Sequence, residues 1–293
     1  MAECKMLAVD VDGTLLEQGR VDPADAAALR AAAEGGILPC LCTGRSWDQV
    51  RPIWQELALP RPQAPVICVG GALVTEPSTG RTLYSRPFDR PTADDLARAV
   101  VGMGYPAMAL VDAWREGFDY FLMGPCEQVG LYQEFLAARE LRVRRVERLS
   151  RPGDPPTLRI SLLADGGDVE GLVAALRQQF GGRVEAQGIY LRHADLHIVE
   201  AFRAGTNKFT AMVYVGQGDR ISPAAMAAIG DDHNDLAMLT GAGVSATTAD
   251  APPELLRAAD MVLAPRGQRP VTQFVAALLA RRQGPGATAP PST

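Results

Sequence analysis

The chain has 293 residues, of which 47% are hydrophobic and 22% charged, and its formal net charge is −5. This length and composition are typical of a globular protein with room for two domains. The negative charge argues against a general nucleic-acid-binding surface, and because no apolar run reaches about 18 residues, no membrane span is expected.

The cysteine pattern indicates a reducing compartment. The five cysteines are odd in number and include no Cys-x-x-Cys pair, and three of them, Cys40, Cys42 and Cys68, lie in apolar runs. Free cysteine behaves there as a small hydrophobic residue. The first residues also lack the long apolar core of a secretory signal. We therefore expect a cytoplasmic protein without disulfides.

Strands and helices alternate in the first part of the chain. The predicted elements are a strand at 6–9, a helix at 23–34, a strand at 37–42, a helix at 46–57 and a strand at 65–69. Asp22 is the expected N-cap of the first helix. This alternation predicts a parallel sheet with helices on both faces.

The pattern then changes to closely spaced strands. A hairpin is predicted at 72–76 and 81–86, and a loop at 141–156. The other elements are helices at 92–103, 127–139 and 169–180, and strands at 107–111, 120–123, 158–163, 184–187, 189–192 and 197–201. Paired strands with a few helices predict an α+β unit with an antiparallel sheet.

The first pattern returns near the end of the chain. The predicted elements are helices at 206–215, 233–239, 253–258 and 271–282, and strands at 225–230, 243–246 and 261–263. Residues 283–293 are rich in Pro, Gly and Ala and are expected to be disordered. We therefore predict a discontinuous α/β core domain at 1–83 and 203–282, with an α+β domain inserted at 84–202.

The segment Asp10-Val11-Asp12-Gly13-Thr14 follows the first predicted strand. Two aspartates separated by one residue at a strand end can aim at one point beyond the sheet. Close carboxylates repel unless a cation or a proton lies between them, and a hard cation such as Mg²⁺ prefers oxygen ligands. Because Asp-Gly-Thr is also an ordinary turn sequence, the other motifs must decide between the two interpretations.

Two further motifs supply groups that can hold an anion. Thr43-Gly44-Arg45 follows the second predicted strand, where a hydroxyl and backbone N–H groups can bind an anionic oxygen, although a helix cap also explains Thr43. Lys208 lies at the start of a predicted helix, where the helix dipole disfavours a cation. Its ammonium could neutralise both a carboxylate and a phosphate. The alternative interpretation is that Lys208 is an ordinary solvated lysine on the surface.

The fourth motif, Asp231-Asp232-His233-Asn234-Asp235, follows the strand at 225–230. Helix capping accounts for only one or two of these polar residues. In an open parallel sheet, ligands bind beyond the carboxyl ends of the strands. The four motifs therefore predict one site with carboxylates, a cation, a hydroxyl and an ammonium, which suits a phosphoryl group.

The order of these motifs resembles that of the haloacid dehalogenase superfamily. The large segment between the threonine and lysine motifs resembles the C2B cap of its Cof-type branch, subclass IIB. The resemblance covers nearly the whole chain apart from the tail. It implies a Rossmann-like core with an inserted α+β cap, and a Mg²⁺-dependent phosphatase that acts on a small phosphorylated metabolite such as a sugar phosphate.

The resemblance also implies a role for each site residue. Asp10 would attack phosphorus and form an aspartyl-phosphate, while Asp12 would serve as general acid and then general base. The implied phosphate-binding residues are Thr43, Gly44, Arg45, Lys208 and Asn234. The implied metal-binding residues are Asp10, Asp12 through its backbone carbonyl, Asp231 and, as a supporting group, Asp235.

The sequence departs from this family at Gly70-Gly71, where relatives often carry Asn-Gly, and at Phe209, which follows the lysine. Two alternative functions share the chemistry: a phosphomutase, and a phospho-accepting signalling module. Asp12 favours an enzyme, because a second carboxylate allows turnover of the phosphorylated aspartate. The expected assembly is a monomer or a homodimer.

Overall fold

The computed structural model describes residues 3–125, 130–164, 168–191 and 195–283. Within them the strands are β1 (Met6–Val9), β2 (Leu16–Glu17), β3 (Arg20–Val21), β4 (Leu38–Leu41), β5 (Val66–Cys68), β6 (Leu73–Thr75), β7 (Thr82–Ser85), β8 (Ala107–Leu110), β9 (Tyr120–Met123), β10 (Val143–Arg145), β11 (Arg159–Ala164), β12 (Val184–Leu191), β13 (Leu196–Arg203), β14 (Met226–Gly230), β15 (Val244–Thr248) and β16 (Met261–Leu263). The α-helices are α1 (Pro23–Glu34), α2 (Trp47–Leu57), α3 (Arg90–Gly102), α4 (Ala113–Glu116), α5 (Gly130–Ala138), α6 (Val169–Phe180), α7 (Lys208–Gly218), α8 (Leu236–Gly241), α9 (Pro253–Ala258) and α10 (Pro270–Gln283).

The chain divides into two compact units. The first consists of Met1–Thr43, Arg51–Val66 and Met212–Thr293, and the second of Gly44–Val50 and Ile67–Ala211. The domain bounds expected from the sequence, at residues 84 and 202, stay a prediction.

A parallel sheet forms the centre of the first unit. Its strand order is β16-β15-β14-β1-β4, and every neighbouring pair is parallel, as the alternation of strands and helices predicts. All four residues of β1 are buried, which is typical of a strand covered on both faces. Asp22 caps α1 as predicted, because its Oδ1 accepts the Ala24 N–H at 2.7 Å. The short β2–β3 hairpin was not predicted.

The second unit contains a six-stranded sheet in the order β10-β9-β8-β11-β13-β12. All pairs are antiparallel except β10 with β9. Leu96 and Val100 of α3, together with Leu176 and Phe180 of α6, belong to the apolar core that includes this sheet. The predicted α+β unit with an antiparallel sheet is therefore confirmed, apart from one parallel edge.

Three local predictions were wrong. The predicted loop at 141–156 contains β10, because pairing with β9 stabilises an edge strand that its own sequence does not specify. The predicted break between residues 187 and 189 is absent in the described strand β12, where Gly188 instead gives Val169 room to pack. Finally, β5 pairs in a three-stranded sheet with the predicted β6–β7 hairpin and does not join the parallel sheet.

The described cysteines, Cys4, Cys40, Cys42 and Cys68, are free thiols. Cys126 lies outside the described residues, and so does the predicted disordered tail of residues 283–293 except for Gln283, which ends α10. In the described part of the chain, no helix combines the length and the apolar character needed to cross a membrane.

Candidate active site

Three predicted site residues follow adjacent strands of the parallel sheet in the first unit. Strand β1 lies between β14 and β4. Asp10 directly follows β1, Asp231 directly follows β14, and Thr43 lies two residues beyond β4. The Asp10 N–H donates to the Ile229 carbonyl at 3.0 Å, which fixes its backbone against the neighbouring strand. These residues therefore emerge from the same carboxyl edge of the sheet, where ligands bind in folds of this kind.

Asp10, Asp231 and Asp235 form an acidic cluster at this edge. One carboxylate oxygen of each lies within 4.8 Å of the others. The residues are only 4%, 4% and 0% exposed, respectively. Carboxylates buried at this spacing need a compensating cation or proton, and an all-oxygen donor set fits a hard divalent ion such as Mg²⁺. These three residues are thus the side chains that could hold a metal ion.

The orientation of Asp235 is set by backbone groups. Its Oδ2 accepts hydrogen bonds from the N–H groups of Asp231 at 2.9 Å and of Asp232 at 3.1 Å. Backbone donors of this kind hold a carboxylate in one orientation without contributing a full positive charge. Asp235 therefore holds the backbone that directly follows β14 in place beside the acidic cluster.

Two side chains fix the carboxylate of Asp231. The Thr14 hydroxyl donates to Oδ1 at 2.7 Å, and Arg266 places both Nε and Nη2 2.8 Å from Oδ2. Burial and the nearby charge of Asp235 raise the pKa of Asp231 to about 6, while Arg266 and Thr14 favour its charged form. Its elevated pKa reflects a carboxylate that lacks water and faces another negative charge.

Gly13 lies directly against the Asp231 carboxylate. Its φ is +88°, in the left-handed region that favours glycine. A β-carbon on Gly13 would lie 2.3 Å from Oδ2 of Asp231, far inside van der Waals contact. The Asp-Gly-Thr turn therefore needs glycine both for its backbone conformation and for its close approach to the Asp231 carboxylate.

We expect Gly13→Ala to weaken Mg²⁺ binding about tenfold or more, because displacement of a ligand carboxylate has effects of that size. Isothermal titration calorimetry on metal-stripped protein measures this affinity. Gly19→Ala is the matched control: Gly19 also has a positive φ, +77°, but no described atom lies within 4 Å of its β-carbon position. If Gly13→Ala and Gly19→Ala lose Mg²⁺ affinity equally, the loss comes from strain at a positive φ and not from contact with Asp231, which would contradict the prediction.

The other predicted residues of the first unit lie close to the cluster in sequence. Asp12 follows β1 by three positions and has an exposed side chain, while Asn234 is half-buried in the short turn His233–Asp235. Asp232 caps that turn, since its Oδ1 accepts the His233 N–H at 2.7 Å. The exposed His233 ring lies 2.9 Å from the same oxygen, so this imidazole contacts the cap.

Gly44, Arg45 and Lys208 belong to the second unit. The Arg45 carbonyl accepts the Val69 N–H at 2.9 Å, which joins its segment to the turn after β5. Lys208 begins α7 and is only 1% exposed, which contradicts the interpretation as a solvated surface lysine. A buried ammonium is costly unless anionic or polar groups compensate it, so this position indicates a specific role.

Gly71, the second residue of the Gly70-Gly71 pair, has no room for a side chain. Its φ is +99°, and a β-carbon there would lie 2.2 Å from the Asn207 carbonyl oxygen and 3.1 Å from the Lys208 backbone nitrogen. The turn after β5 therefore packs directly against the backbone that begins α7. Any larger residue at Gly71 would displace the start of the helix that carries Lys208.

Arg159 of β11 connects the sheet of the second unit to the Gly44 segment. Its Nη1 donates to the Gly44 carbonyl at 3.1 Å and lies 2.5 Å from Oε1 of Glu200, and its Nη2 donates to the Tyr120 hydroxyl at 3.0 Å. Arg159 and Glu200 are buried. Removal of either charge would leave the other uncompensated, which is strongly destabilising in a buried pair.

The family model of the haloacid dehalogenase-like hydrolases matches residues 7–275. The chain belongs to this family. This confirms the resemblance inferred from the four motifs, all of which lie within the matched residues of the hydrolase.

The hydrolase is also similar along most of its length to proteins named as phosphatases. It is 24% identical over 293 residues to 5-amino-6-(5-phospho-D-ribitylamino)uracil phosphatase YwtE of Bacillus subtilis, covering 94% of this chain and 98% of the relative. It is 23% identical over 283 residues to pyridoxal phosphate phosphatase YbhA of Escherichia coli, covering 92% and 97%. The solved structure of BT4131, a subclass IIB sugar phosphatase of the haloacid dehalogenase superfamily, superposes with a TM-score of 0.72 at 17% identity, covering 93% of this chain and 98% of that one. This likeness confirms the predicted Rossmann-like α/β fold with an inserted cap.

Two residues that contact the acidic cluster of this hydrolase, Thr14 and Arg266, have no predicted role. Thr14 belongs to the first motif, so its position beside two aspartates was an available signal. Arg266 had no local signal, because it lies in an ordinary Pro-Arg-Gly segment 35 residues after Asp231 and is one of many arginines. Only the folded structure brings it to the carboxylate.

Proposed function

We propose that this hydrolase is a Mg²⁺-dependent phosphatase that acts on a small phosphomonoester, a sugar phosphate or similar metabolite, through an aspartyl-phosphate intermediate. The observation that carries the proposal is the buried acidic cluster of Asp10, Asp231 and Asp235 at the carboxyl edge of the parallel sheet. The names of both phosphatase relatives specify phosphorylated small molecules, which supports a substrate of that class.

The proposed reaction has two steps. Asp10 attacks phosphorus, the bond from phosphorus to the leaving oxygen breaks, and Asp12 donates a proton to that oxygen. A water molecule then attacks the phosphorus of the aspartyl-phosphate while Asp12 accepts its proton, which releases inorganic phosphate and restores the Asp10 carboxylate. The exposed side chain of Asp12, three positions beyond β1, is compatible with access to both a leaving group and water.

The remaining residues would bind and neutralise charge. Asp10, Asp231 and the Asp12 carbonyl are proposed to hold Mg²⁺, with Asp235 in support; the bound ion would neutralise negative charge around the phosphoryl group. The proposed phosphate-binding residues are Thr43, Gly44, Arg45, Lys208 and Asn234. Burial of Lys208 supports its assignment, since a desolvated ammonium is a strong partner for a phosphate oxygen.

The proposed setting is the cytoplasm, with the chain as a monomer or homodimer. The free thiols among the described cysteines are compatible with a reducing compartment.

The function is tested by incubating the purified chain with a panel of phosphorylated metabolites and measuring phosphate release. We expect release that requires Mg²⁺, is lost with a chelator and returns when the ion is added back. Phosphate release that persists unchanged in a chelator, or none from any small phosphomonoester, would contradict the proposal.

The same assay separates a phosphatase from a phosphomutase. A mutase requires a bisphosphate activator and yields an isomeric phosphate ester, whereas a phosphatase yields inorganic phosphate and the free alcohol. Product analysis by ³¹P NMR distinguishes these outcomes, and a stable phosphoprotein without turnover would instead favour a signalling module.

A further inference from the structure

We propose that Arg266 is a built-in counter-ion of the acidic cluster, which holds Asp231 in place and lowers the affinity of the cluster for its divalent cation. The inference rests on the proposed function only in one respect, namely that the acidic cluster binds such a cation. It concerns a residue outside the four motifs that identify the family.

The contacts of Arg266 leave its guanidinium little freedom. Nε and Nη2 both lie 2.8 Å from Oδ2 of Asp231, and Nη2 also donates to the Asp231 carbonyl at 3.0 Å. On the other side, Nη1 lies 3.4 Å from Oδ2 of Asp250, and the Arg266 N–H donates to Oδ1 of Asp250 at 3.2 Å. The side chain is 9% exposed. Arg266 is thus a largely buried partner of Asp231, held in place by a second acid.

A guanidinium in this position partly neutralises the negative charge of the acidic cluster, as a bound metal ion would. Its positive charge lies directly against the Asp231 carboxylate. It compensates some of the repulsion among three buried carboxylates, and it repels an approaching divalent cation. Because the contact is shielded from water, this repulsion is screened much less than it would be at the surface.

Arg269 shows the contrast within the same segment. Its Nε lies 3.0 Å from Oδ2 of Asp22, so it too forms an ion pair, but its side chain is 61% exposed. Asp22 does not belong to the acidic cluster. Removing the charge of Arg269 therefore controls for the general effect of one fewer arginine.

The test is Mg²⁺ binding by isothermal titration calorimetry, together with thermal unfolding with and without Mg²⁺, on the metal-stripped full chain. For Arg266→Gln we expect about tenfold tighter binding, the effect of removing one charge near a shielded divalent site. Without metal, we also expect a lower melting temperature for this variant than for the wild type. On adding Mg²⁺, its melting temperature should rise more than that of the wild type. Arg266→Lys, which keeps the charge, and Arg269→Gln should each bind Mg²⁺ within about threefold of the wild type.

A second variant keeps the proposal testable if Arg266→Gln does not fold. Asp250 is 40% exposed and touches the far side of Arg266, so Asp250→Asn removes a negative charge without altering the cluster. It should weaken Mg²⁺ binding about twofold to threefold.

Several results would overturn the proposal. The first is a Mg²⁺ affinity of Arg266→Gln that is equal to or weaker than that of the wild type. The second is Mg²⁺ binding by Arg266→Lys or Arg269→Gln that is as much tightened as in Arg266→Gln. The third is tighter Mg²⁺ binding by Asp250→Asn than by the wild type. A wild-type chain without measurable affinity for Mg²⁺ would overturn both this inference and the proposed metal dependence. A chain that binds Mg²⁺ with the expected order of variants but releases no phosphate would overturn only the proposed function.

Discussion

Asp10→Asn is expected to lower the phosphatase rate by at least about 10⁴-fold, as loss of a covalent nucleophile does in other hydrolases. An amide of nearly the same shape replaces the carboxylate but cannot attack phosphorus. Steady-state phosphate release under saturating substrate measures the loss. Removal of one of three buried negative charges should leave the folded protein at least as stable, which thermal unfolding checks.

The matched control for Asp10→Asn is Asp232→Asn. Asp232 belongs to the same acidic segment as Asp231 but caps the following turn, a contact that asparagine preserves. We expect a near wild-type rate for it, whereas a severe loss would make Asp232 an additional metal ligand. More than a trace of metal-dependent activity in pure, folded Asp10→Asn protein would refute the nucleophile assignment.

Asp12→Ala is expected to slow both half-reactions by about 10²-fold to 10⁴-fold, the usual range for a general acid or base. The defect in phosphoenzyme formation should shrink with a substrate whose leaving group is already acidic, such as p-nitrophenyl phosphate. The defect in phosphoenzyme hydrolysis should not change, because water attacks the same intermediate. Rapid-quench measurement of phosphoenzyme formation and decay separates the two effects.

Glu17 offers a control for Asp12, since it is an exposed acid on the neighbouring hairpin. Glu17→Ala should leave both rates unchanged. If the phosphoenzyme of Asp12→Ala forms and decays at the wild-type rates, the acid–base role belongs to another residue.

The sequence predicts the structure best where the local sequence pattern and the fold favour the same element. The bounds of β1 and α1 were predicted to the residue, because a continuous apolar run and an Asp-Pro helix start are strong signals. The placement of Asp10, Thr43 and Asp231 at the carboxyl edge of one sheet followed from a general rule, that parallel strands present their carboxyl ends at one edge. These positions could be predicted without knowledge of any long-range contact.

The parts that could not be predicted depend on distant contacts. Strand β10 forms because β9 is available to pair with it, and its Val-Arg-Arg sequence alone favours an exposed loop. The pairing of Arg266 with Asp231 requires β14 and the segment after β16 to meet, and no property of Pro265-Arg266-Gly267 indicates it. Propensity and spacing describe neighbours along the chain, whereas these features come from neighbours in space.

The buried pair of Arg159 and Glu200 has a consequence for protein engineering. Because Arg159 also holds the Gly44 carbonyl, 115 residues earlier in the chain, the strands of the second unit and the 44–50 segment form one inseparable module. A chimera that replaces β11 and β13 with foreign strands, but keeps the native 44–50 segment, would lose this connection unless the donor supplies the equivalent arginine and glutamate. Successful grafts should therefore exchange both segments together.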